Sequence, residues 1–478
     1  MSIFLFLASL FFTSLLLAQA EPVETEAQIQ QTIRPGFSTR DFRPWMDANL
    51  KPWLDGNDAT GDWSGCREKC MGKGVDLGLS SMNEVWGNTT GGIKTGSVAT
   101  GALQLATAID FEKLIGWQGG SFYSRWLFLT GQDPSANLVG DFFNISNIYG
   151  YNTFRNTELW VQQKSWDDKF SLRAGQLVAD SEFAISDYGA LFINSTFGWP
   201  AFIYTSVPNS GPNYPVGTPG VRLEWKPTEQ LSFKTAVFQG NSQSQNINNH
   251  GFYWELNADQ GFFYMGETIY HYDLGLPGQI KAGSWFYSAD FPNANGSNSL
   301  FWGNYGIYGI VDQMIYRKLT PISKVVKSPE NVLPSGNGKK VVDVPINQGL
   351  GVFSRIAFEP ADRNLVSFYC DSGLNYKGLL PARDHDTLGL GIAYGEFSRA
   401  AMGNTTGGQS FCSTSSGLTQ IQPGSLAAGF EMAIETTYLA QLTPWLVIQP
   451  DMQYIIHPGP ASNLGYSLVL GLRATVTF

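Results

Sequence analysis

The sequence predicts an all-β protein that closes into a transmembrane antiparallel β-barrel of about sixteen strands, with one long loop that constricts its pore. Three observations predict this fold. Charged residues make up only 15% of the 478 residues, against roughly 25% in a typical soluble protein. Apolar and polar residues alternate strictly in many segments. After residue 20, no apolar run approaches the ~18 residues that a membrane-spanning helix needs, which excludes a helical membrane protein.

The charge and the histidine content limit the kinds of partner. A formal net charge of −10 disfavours a nucleic-acid partner, because nucleic acids are bound through clustered Lys and Arg. The four histidines are scattered and do not have the spacing of a metal site. They are His250, His271, His385 and His457. We therefore expect no metal and no cofactor.

Residues 1–20 have the pattern of a secretory signal peptide. Residues 2–17 form an apolar core, and Ala18-Gln19-Ala20 offers the small residues of a cleavage site before Glu21. The core is too short for a transmembrane helix, although the segment lacks the usual Lys or Arg at its start. We therefore expect export of the chain from the cytoplasm.

The mature chain is expected to have two parts. Residues 21–60 are a periplasmic lead-in without a fold of its own, and residues 61–478 form the barrel domain. The lead-in is polar, and prolines interrupt any regular element in it. These are Pro35, Pro44 and Pro52.

The four cysteines are considered in the light of export, which permits disulfides. Cys66 and Cys70 lie four residues apart and are the candidate disulfide pair. Cys412 lies in a polar stretch and is left either free or paired with Cys370.

The last thirteen residues predict a membrane strand. Every even-numbered position from Tyr466 to Phe478 is apolar or aromatic, and the odd-numbered positions are mostly small or polar. Strict alternation with a period of two is typical of a strand with one apolar face. A terminal strand that ends in Phe resembles the last strand of bacterial outer-membrane barrels.

The same alternation recurs with charged residues on one face. Val221, Leu223 and Trp225 alternate with Arg222 and Glu224. In a small closed β-core each buried charge would cost several kcal/mol. We therefore expect the apolar face to meet lipid and the charged face to line a lumen that contains water.

Sixteen segments have this strand pattern, which is the number found in barrels with an open aqueous channel. They are 75–87, 100–111, 120–130, 154–165, 169–177, 219–227, 230–240, 261–273, 278–290, 303–317, 348–359, 362–371, 385–397, 426–442, 445–456 and 463–478. Segment 318–347 is unusually long for the periplasmic end, where turns are short. It is either a periplasmic insertion or the sign of a miscounted strand.

The longest loop in the first half of the barrel, residues 178–218, is the predicted constriction. It is rich in aromatic residues and poor in charge, which favours an inward fold. Aromatic faces with carboxylates and guanidinium groups are the usual surface for sugars, because C–H faces stack on rings and hydroxyls bond to charged groups. Phe197, Trp199 and Tyr214 either contact the solute or pin the loop to the wall.

Strand parity and this loop together select candidate pore-lining residues for substrate binding. They are Glu84, Arg125, Glu158, Trp160, Arg173, Asp180, Glu182, Trp199, Arg222 and Glu224. Parity also places Lys234, Arg355, Glu431 and Arg473 on polar faces. Charges of both signs suit a neutral polyol better than an ion, because an ion filter shows a field of one sign.

Several stretches resemble the carbohydrate-selective outer-membrane porin family (OprB type), in collinear order over about residues 60–478. The motifs are Gly61-Asp-Trp-Ser-Gly65, Lys73-Gly74-Val75, Glu84-Val85-Trp86-Gly87-Asn88, Gly91-Gly92, Glu158-Leu-Trp160, Arg173-Ala-Gly175-Gln176, Asp180-Ser181-Glu182-Phe183, Asn194-Ser-Thr-Phe197-Gly198, Tyr376-Lys-Gly378-Leu379, Asp386-Thr-Leu-Gly389, and the run from Tyr438 through Pro444-Trp445, Gln449-Pro450-Asp451 and Gln453-Tyr454 to His457-Pro-Gly459.

The resemblance implies a sixteen-stranded porin whose charge- and aromatic-lined channel passes glucose and related sugars. By motif position, five residues carry over to the channel region: Glu84, Glu158, Trp160, Arg173 and Glu182. The sequence departs from the family pattern at Cys66 and Cys70 and in the length of 318–347.

Outer-membrane barrels serve four kinds of function that this sequence has to be weighed against. Passive diffusion of carbohydrates across the outer membrane of a Gram-negative bacterium is favoured, because an extended row of weak contacts suits transport. A general or anion-selective porin is the alternative. A barrel enzyme is disfavoured, since no Ser and His lie in a local constellation. An adhesin or anchor would fill its lumen with apolar residues. Expected partners are sugars, lipid and lipopolysaccharide. A homo-oligomer stays open, because lipid-facing and protomer-facing bands look alike in sequence.

Overall fold

The computed structural model describes residues 58–295, 297–318, 348–402, 410–414, 417–421, 429–460 and 464–478. Sixteen antiparallel strands close a barrel, as predicted, in the order β1-β18-β17-β16-β13-β12-β11-β10 and then β9 to β2. Strands β14 and β15 form a separate hairpin. In chain order the strands are β1 (Val75–Gly91), β2 (Gly96–Asp110), β3 (Gly120–Gly131), β4 (Thr153–Ser165), β5 (Phe170–Leu177), β6 (Thr218–Trp225), β7 (Leu231–Gln239), β8 (Phe262–Asp273), β9 (Pro277–Pro292), β10 (Leu300–Arg317), β11 (Gly349–Phe358), β12 (Val366–Lys377), β13 (Thr387–Phe397), β14 (Ser410–Thr414), β15 (Gly417–Ile421), β16 (Phe430–Thr443), β17 (Leu446–Ile456) and β18 (Tyr466–Thr477).

The helices within the described residues are short and lie in the connections. They are α1 (Cys66–Gly72), α2 (Phe111–Ile115), α3 (Ser195–Gly198), α4 (Ala201–Tyr204) and α5 (Arg399–Met402). Single 3-10 turns occur at Trp63–Gly65, Ala179–Ser181, Gly189–Leu191, Pro208–Ser210 and Ala258–Gln260, with a π turn at Ser135–Val139. Over the part of the chain that the structure describes, no helix combines the length and the apolar character needed to cross a membrane.

The predicted alternation places apolar side chains on the outside of the barrel and charged side chains on the inside, the reverse of a soluble protein. On β6, Val221, Leu223 and Trp225 are 40%, 38% and 51% exposed, whereas Arg222 between them is only 3% exposed. Successive side chains of a strand point to opposite faces, so the apolar set covers the outside and the charged set points inward. The predicted apolar outer face and charged inner face of the strand are confirmed.

Closure of the barrel depends on the terminal strand that the sequence singled out. β18 pairs with β1, and the register sets Arg473 opposite Glu84. The backbone N–H of Phe478 donates to the carbonyl of Leu79 at 2.8 Å. A Cβ at Gly471 would lie 2.1 Å from the Trp86 ring, so glycine at this position of β18 leaves room for the indole of its partner on β1.

An arginine on the lipid face of β18 is expected to destabilise the barrel. Leu472 lies near the middle of the strand, is 49% exposed and pairs with Val85. A charged residue at the bilayer midplane costs about 2–4 kcal/mol in barrels of this kind. Urea unfolding in liposomes should show that loss for Leu472→Arg. Leu472→Ile is the matched control, and an unchanged unfolding free energy for the arginine variant would contradict lipid exposure.

The two ends of the barrel differ in the length of their connections. One end, which carries the first residue of β1 and the last residue of β18, has short turns such as 166–169 and 274–276, and short turns are typical of the periplasmic end of an outer-membrane barrel. β10 and β11 pair directly, with Ile307 opposite Phe358. The strand count is therefore correct, and 318–347 joins two neighbouring strands at the periplasmic end. Residues 319–347 lie outside the described residues.

Residues 178–217, named here the inner loop, fold into the barrel as expected. Their buried aromatic side chains pack against aromatic residues of the opposite wall. Phe192 lies 5.8 Å from Phe353, and Phe202 lies 5.7 Å from Tyr369, between ring centroids. The main apolar core therefore lies inside the barrel, where the inner loop and residues 132–152 pack chiefly against strands β8 to β13, β16 and β17.

Charged residues of the opposite wall hold the backbone of the inner loop. The Arg355 guanidinium donates to the carbonyls of Ala184, Thr196, Phe197 and Gly198 at 2.8 to 3.1 Å. It also pairs with Asp371 at 2.5 Å. The Glu435 carboxylate accepts the N–H groups of Ile193 and Asn194 at 2.6 and 2.9 Å. Buried backbone groups that lack strand partners are thereby satisfied.

The loop between β3 and β4, residues 132–152, is fixed in the same manner. Glu431 accepts the N–H groups of Phe142 and Phe143, the shortest of these bonds being 2.8 Å. The Tyr204 hydroxyl of the inner loop donates to the Phe142 carbonyl at 2.7 Å. The two loops therefore form one packed unit inside the barrel.

Candidate functional site

The ten residues predicted from sequence lie on or beside one side of the lumen, on β1, β3 to β6 and the inner loop. Glu84 on β1 is 1% exposed. It pairs with Arg473 and accepts hydrogen bonds from the Trp86 indole N–H at 2.8 Å and the Ser146 hydroxyl at 2.6 Å. With this many partners, Glu84 orders the seam of the barrel and the 132–152 loop rather than a free surface.

Arg125, Glu158 and Trp160 form the upper part of the candidate pathway. The register of β3 and β4 sets Arg125 opposite Glu158, and their charged groups are 2.8 Å apart. The Trp160 indole N–H donates to the other Glu158 oxygen at 3.3 Å. Tyr123 stacks on Trp160 with ring centroids 5.2 Å apart. The carboxylate therefore orients both a cation and an aromatic ring.

Arg173 and Arg222 lie directly opposite each other on β5 and β6. Like charges in this position destabilise a sheet, and the surroundings offset the repulsion. Glu182 of the inner loop bridges the two guanidinium groups at 2.5 and 2.7 Å. The Gln162 amide oxygen on β4 accepts from Arg173 at 2.9 Å and from Arg222 at 3.0 Å.

Trp160 and Arg173 create a composite surface. The Arg173 guanidinium lies 3.8 Å from the centroid of the Trp160 ring, within the range of a cation–π contact. Its side chain keeps 16% of its surface exposed, and the Glu182 side chain keeps 14%. The surface therefore presents an aromatic face, guanidinium N–H donors and carboxylate acceptors.

The row continues toward the periplasmic end. Glu224 lies 3.7 Å from Arg222 and 3.6 Å from Lys226. We name the row of seven residues the charge ladder. Its members are Arg125, Glu158, Trp160, Arg173, Glu182, Arg222 and Glu224. Three arginines face three carboxylates, so the formal charge of the ladder is balanced.

Asp180 and Trp199 lie beside a cavity at the extracellular end of the ladder. This vestibule cavity has a volume of about 370 Å³ and is also lined by Arg125 and Tyr214. One Asp180 oxygen accepts the Tyr214 backbone N–H at 2.8 Å. Burial raises the pKa of Asp180 to about 6, with a further increase from Glu158 and opposing effects from Arg125 and the hydrogen bonds.

Acidification is expected to shift the ion selectivity of the channel toward anions. Because the pKa of Asp180 is raised to about 6, the carboxyl is charged at pH 7.5 and mostly neutral at pH 5. One negative charge thus leaves the vestibule as pH falls through that window. Reversal potentials in a KCl gradient at the two pH values would measure the change.

Asp180→Asn is expected to remove most of this pH dependence. Burial also raises the pKa of Asp141 in the 132–152 loop, to about 7, but Asp141 does not line the cavity. Asp141→Asn is therefore the matched control. A pH dependence that survives Asp180→Asn and disappears with Asp141→Asn would contradict the assignment.

The three aromatic residues singled out in the inner loop all make contacts that hold the loop in place. Phe197 is fully buried against Phe192 and Phe353, so it pins the loop. The Tyr214 hydroxyl donates to the Ile148 carbonyl at 2.6 Å. Trp199 is 5% exposed and donates to the Phe183 carbonyl at 3.1 Å while it borders the cavity. Pinning contacts therefore dominate at all three positions.

Sequence reasoning omitted Gln162 from the candidates and did not identify the wall residues that hold the two inward loops as anchors. Alternation placed Gln162 on the same face as Glu158 and Trp160, but a neutral amide gives no signal in a search for charges. Arg355 and Glu431 were placed on polar faces, and the structure engages both with loop backbone. No local pattern distinguishes such an anchor from a pore-lining charge.

The cysteines and the acidic and histidine side chains bear on two further expectations from the sequence, a disulfide bond and no metal site. Cys66, Cys70 and Cys370 are free cysteines, so the expected Cys66–Cys70 bridge is not formed in the structure. The two thiols lie one turn apart on α1 and interact by a hydrogen bond, which raises the pKa of Cys66. Among the residues that the structure describes, no group of three His, Cys, Asp or Glu side chains is arranged to hold a metal ion.

Comparison with known proteins identifies the family. The profile of the carbohydrate-selective porin, OprB family, matches residues 94–478. The chain is 24% identical to Porin B of Pseudomonas aeruginosa over 453 residues, which cover 87% of this chain and 90% of that protein. It is 22% identical to the putative porin QuiX of Acinetobacter baylyi over 475 residues, which cover 94% of this chain and 96% of that protein.

A solved structure shares the fold. The high-pH structure of Pseudomonas putida OprB aligns with a TM-score of 0.69 and 21% identity, covering 88% of this chain and 99% of that one. The barrel, its inward loops and the profile match agree with one another. The chain belongs to the OprB family of carbohydrate-selective porins, which are outer-membrane proteins of Gram-negative bacteria.

Proposed function

We propose that the charge ladder is the path along which small neutral sugars, such as glucose-like monosaccharides, diffuse passively into the periplasm. The observation that carries the proposal is the Trp160–Arg173 surface, with its 3.8 Å contact. It combines an apolar face for sugar C–H groups with charged partners for hydroxyls. The covalent chemistry of an enzyme has no part in this proposal.

The arrangement of the ladder suits transport. Its polar contacts are spread along the wall, and weak contact at several sites allows a solute to leave as well as enter. Its balanced charge also favours a neutral polyol over an ion. Outside the barrel, exposed apolar residues such as Leu472 and Val85 would contact lipid and lipopolysaccharide. The same band would serve a homo-oligomer, which sedimentation in detergent would detect.

Planar-bilayer conductance tests the proposal. The refolded channel is titrated with glucose, maltose and a non-sugar polyol of similar size. Saturable current block by the sugars is expected, and Trp160→Ala should weaken it about two- to tenfold, since one aromatic contact contributes about 0.5–1.5 kcal/mol.

Trp166→Ala is the matched control, because Trp166 lies in a periplasmic turn and is 75% exposed. Equal block of both variants and the unaltered channel would contradict a role for the ladder. Steady conductance without any sugar block, together with a strong anion preference, would favour the alternative of a general or anion-selective porin.

A further inference from the structure

The vestibule cavity has a chemistry of its own. It lies between the inner loop, the 132–152 loop and residues 240–261, with a volume of about 370 Å³. Its charged lining consists of one cation and one anion, Arg125 and Asp180. The rest of its polar lining is dominated by amides and tyrosines, among them Asn144, Asn213, Gln245, Tyr149 and Tyr214.

Amide groups carry both donors and acceptors, which matches a solute whose hydroxyls both donate and accept. The Gln245 Oε1 atom is buried and has no hydrogen-bond partner. A buried acceptor without a donor is unfavourable. Because Gln245 lines the cavity, rotation of its side-chain amide would bring this oxygen to a hydroxyl of a bound solute. Burial also raises the pKa of Tyr149 to about 12, so this phenol stays neutral at physiological pH.

The cavity and the ladder are consecutive along the barrel axis. Arg125 borders the cavity and pairs with Glu158 at the top of the ladder. Gln162, which holds Arg173 and Arg222, lies four residues farther along β4 toward the periplasmic end. The Arg173 guanidinium reaches back over the ring of Trp160, which lies two residues, or about 7 Å, along β4 from Glu158. The Trp160–Arg173 surface therefore lies directly below the cavity, beyond the reach of one hydrogen bond.

We propose that the vestibule cavity is a separate sugar subsite, which takes up a neutral monosaccharide from the outside before the sugar reaches the ladder. The inference rests on the proposed function and deepens it. The volume lies at the lower end of the range for small-molecule pockets, as a single sugar ring requires. Arg125 contacts the solute in both places and connects the two subsites.

Single-channel block by glucose added to each side in turn tests the subsite. Gln245→Ala removes the unpartnered acceptor. The rate of block by glucose from the extracellular side should fall about three- to tenfold, the effect of one lost hydrogen bond. Block by glucose from the periplasmic side should change much less, because that glucose meets the ladder first. Asn246→Ala is the matched control, since Asn246 is exposed and does not line the cavity.

The outcomes separate the two proposals. If glucose blocks the channel and Trp160→Ala weakens the block, but Gln245→Ala and Asp180→Asn leave both rates unchanged, the subsite is overturned and the ladder stands. An equal loss from both sides in Gln245→Ala also overturns it, because the cavity would then not precede the ladder. Absence of glucose block in the unaltered channel would overturn the proposed function itself.

Discussion

Replacement of Glu182 by Gln should make the channel prefer anions and weaken sugar block. Glu182 lies between Arg173 and Arg222, and loss of its charge leaves two opposed guanidinium groups with only a neutral amide between them. The ladder then carries a net positive charge. Loss of one partner from a buried ion pair costs about 3–5 kcal/mol, so the free energy of unfolding should also fall by about 3 kcal/mol.

Reversal potentials in a KCl gradient would measure the change in selectivity, and urea unfolding in liposomes would measure stability. Glu229→Gln is the matched control, because Glu229 is exposed in the periplasmic turn between β6 and β7. If Glu182→Gln kept the ion preference and the sugar block of the unaltered channel, the charge balance of the ladder would not control permeation.

Replacement of Arg355 by Ala is expected to release the inner loop and to increase conductance while sugar block is lost. Arg355 donates to four loop carbonyls and pairs with Asp371, and both side chains are buried. The variant leaves Asp371 as an unpaired buried charge, which costs about 3–5 kcal/mol. Single-channel conductance with and without glucose measures the opening.

A double variant separates the loop contacts from the charge penalty. In Arg355→Met with Asp371→Leu, both charges of this buried pair are removed, and such replacements are often tolerated. The loop carbonyls still lose the donors that Arg355 supplied. Conductance should rise in this variant too. Arg399→Ala, in an exposed position at the start of α5, should leave conductance unchanged. A folded double variant with unaltered conductance would show that Arg355 is not needed to hold the loop.

The predicted strand boundaries show where local patterns mislead. The sequence predicts a strand at 362–371, whereas β12 extends over Val366–Lys377. The predicted segment ends before Gly373, whereas the strand continues through it. In the barrel, a Cβ at Gly373 would lie 2.5 Å from the Phe353 ring, so glycine there makes room for a side chain from β11. A packing requirement of this kind cannot be seen from the strand that contains it.

The sequence by itself determined the barrel, its strand number and the side of each strand that faces lipid. The physical reason is local, because the pleat alternates side chains between a membrane and a wet lumen, and each strand must satisfy this rule by itself. Val221, Arg222 and Leu223 express it without reference to any distant residue.

Only the tertiary structure decided which inward charges line the path and which hold the loop. Arg222 and Arg355 both lie on inward faces of strands and each precedes an apolar residue, yet Arg222 belongs to the charge ladder and Arg355 binds loop carbonyls. Their roles differ because the inner loop packs chiefly against β8 to β13, β16 and β17 and leaves β3 to β6 facing the opening. That choice depends on buried aromatic contacts across the barrel, between residues far apart in the chain.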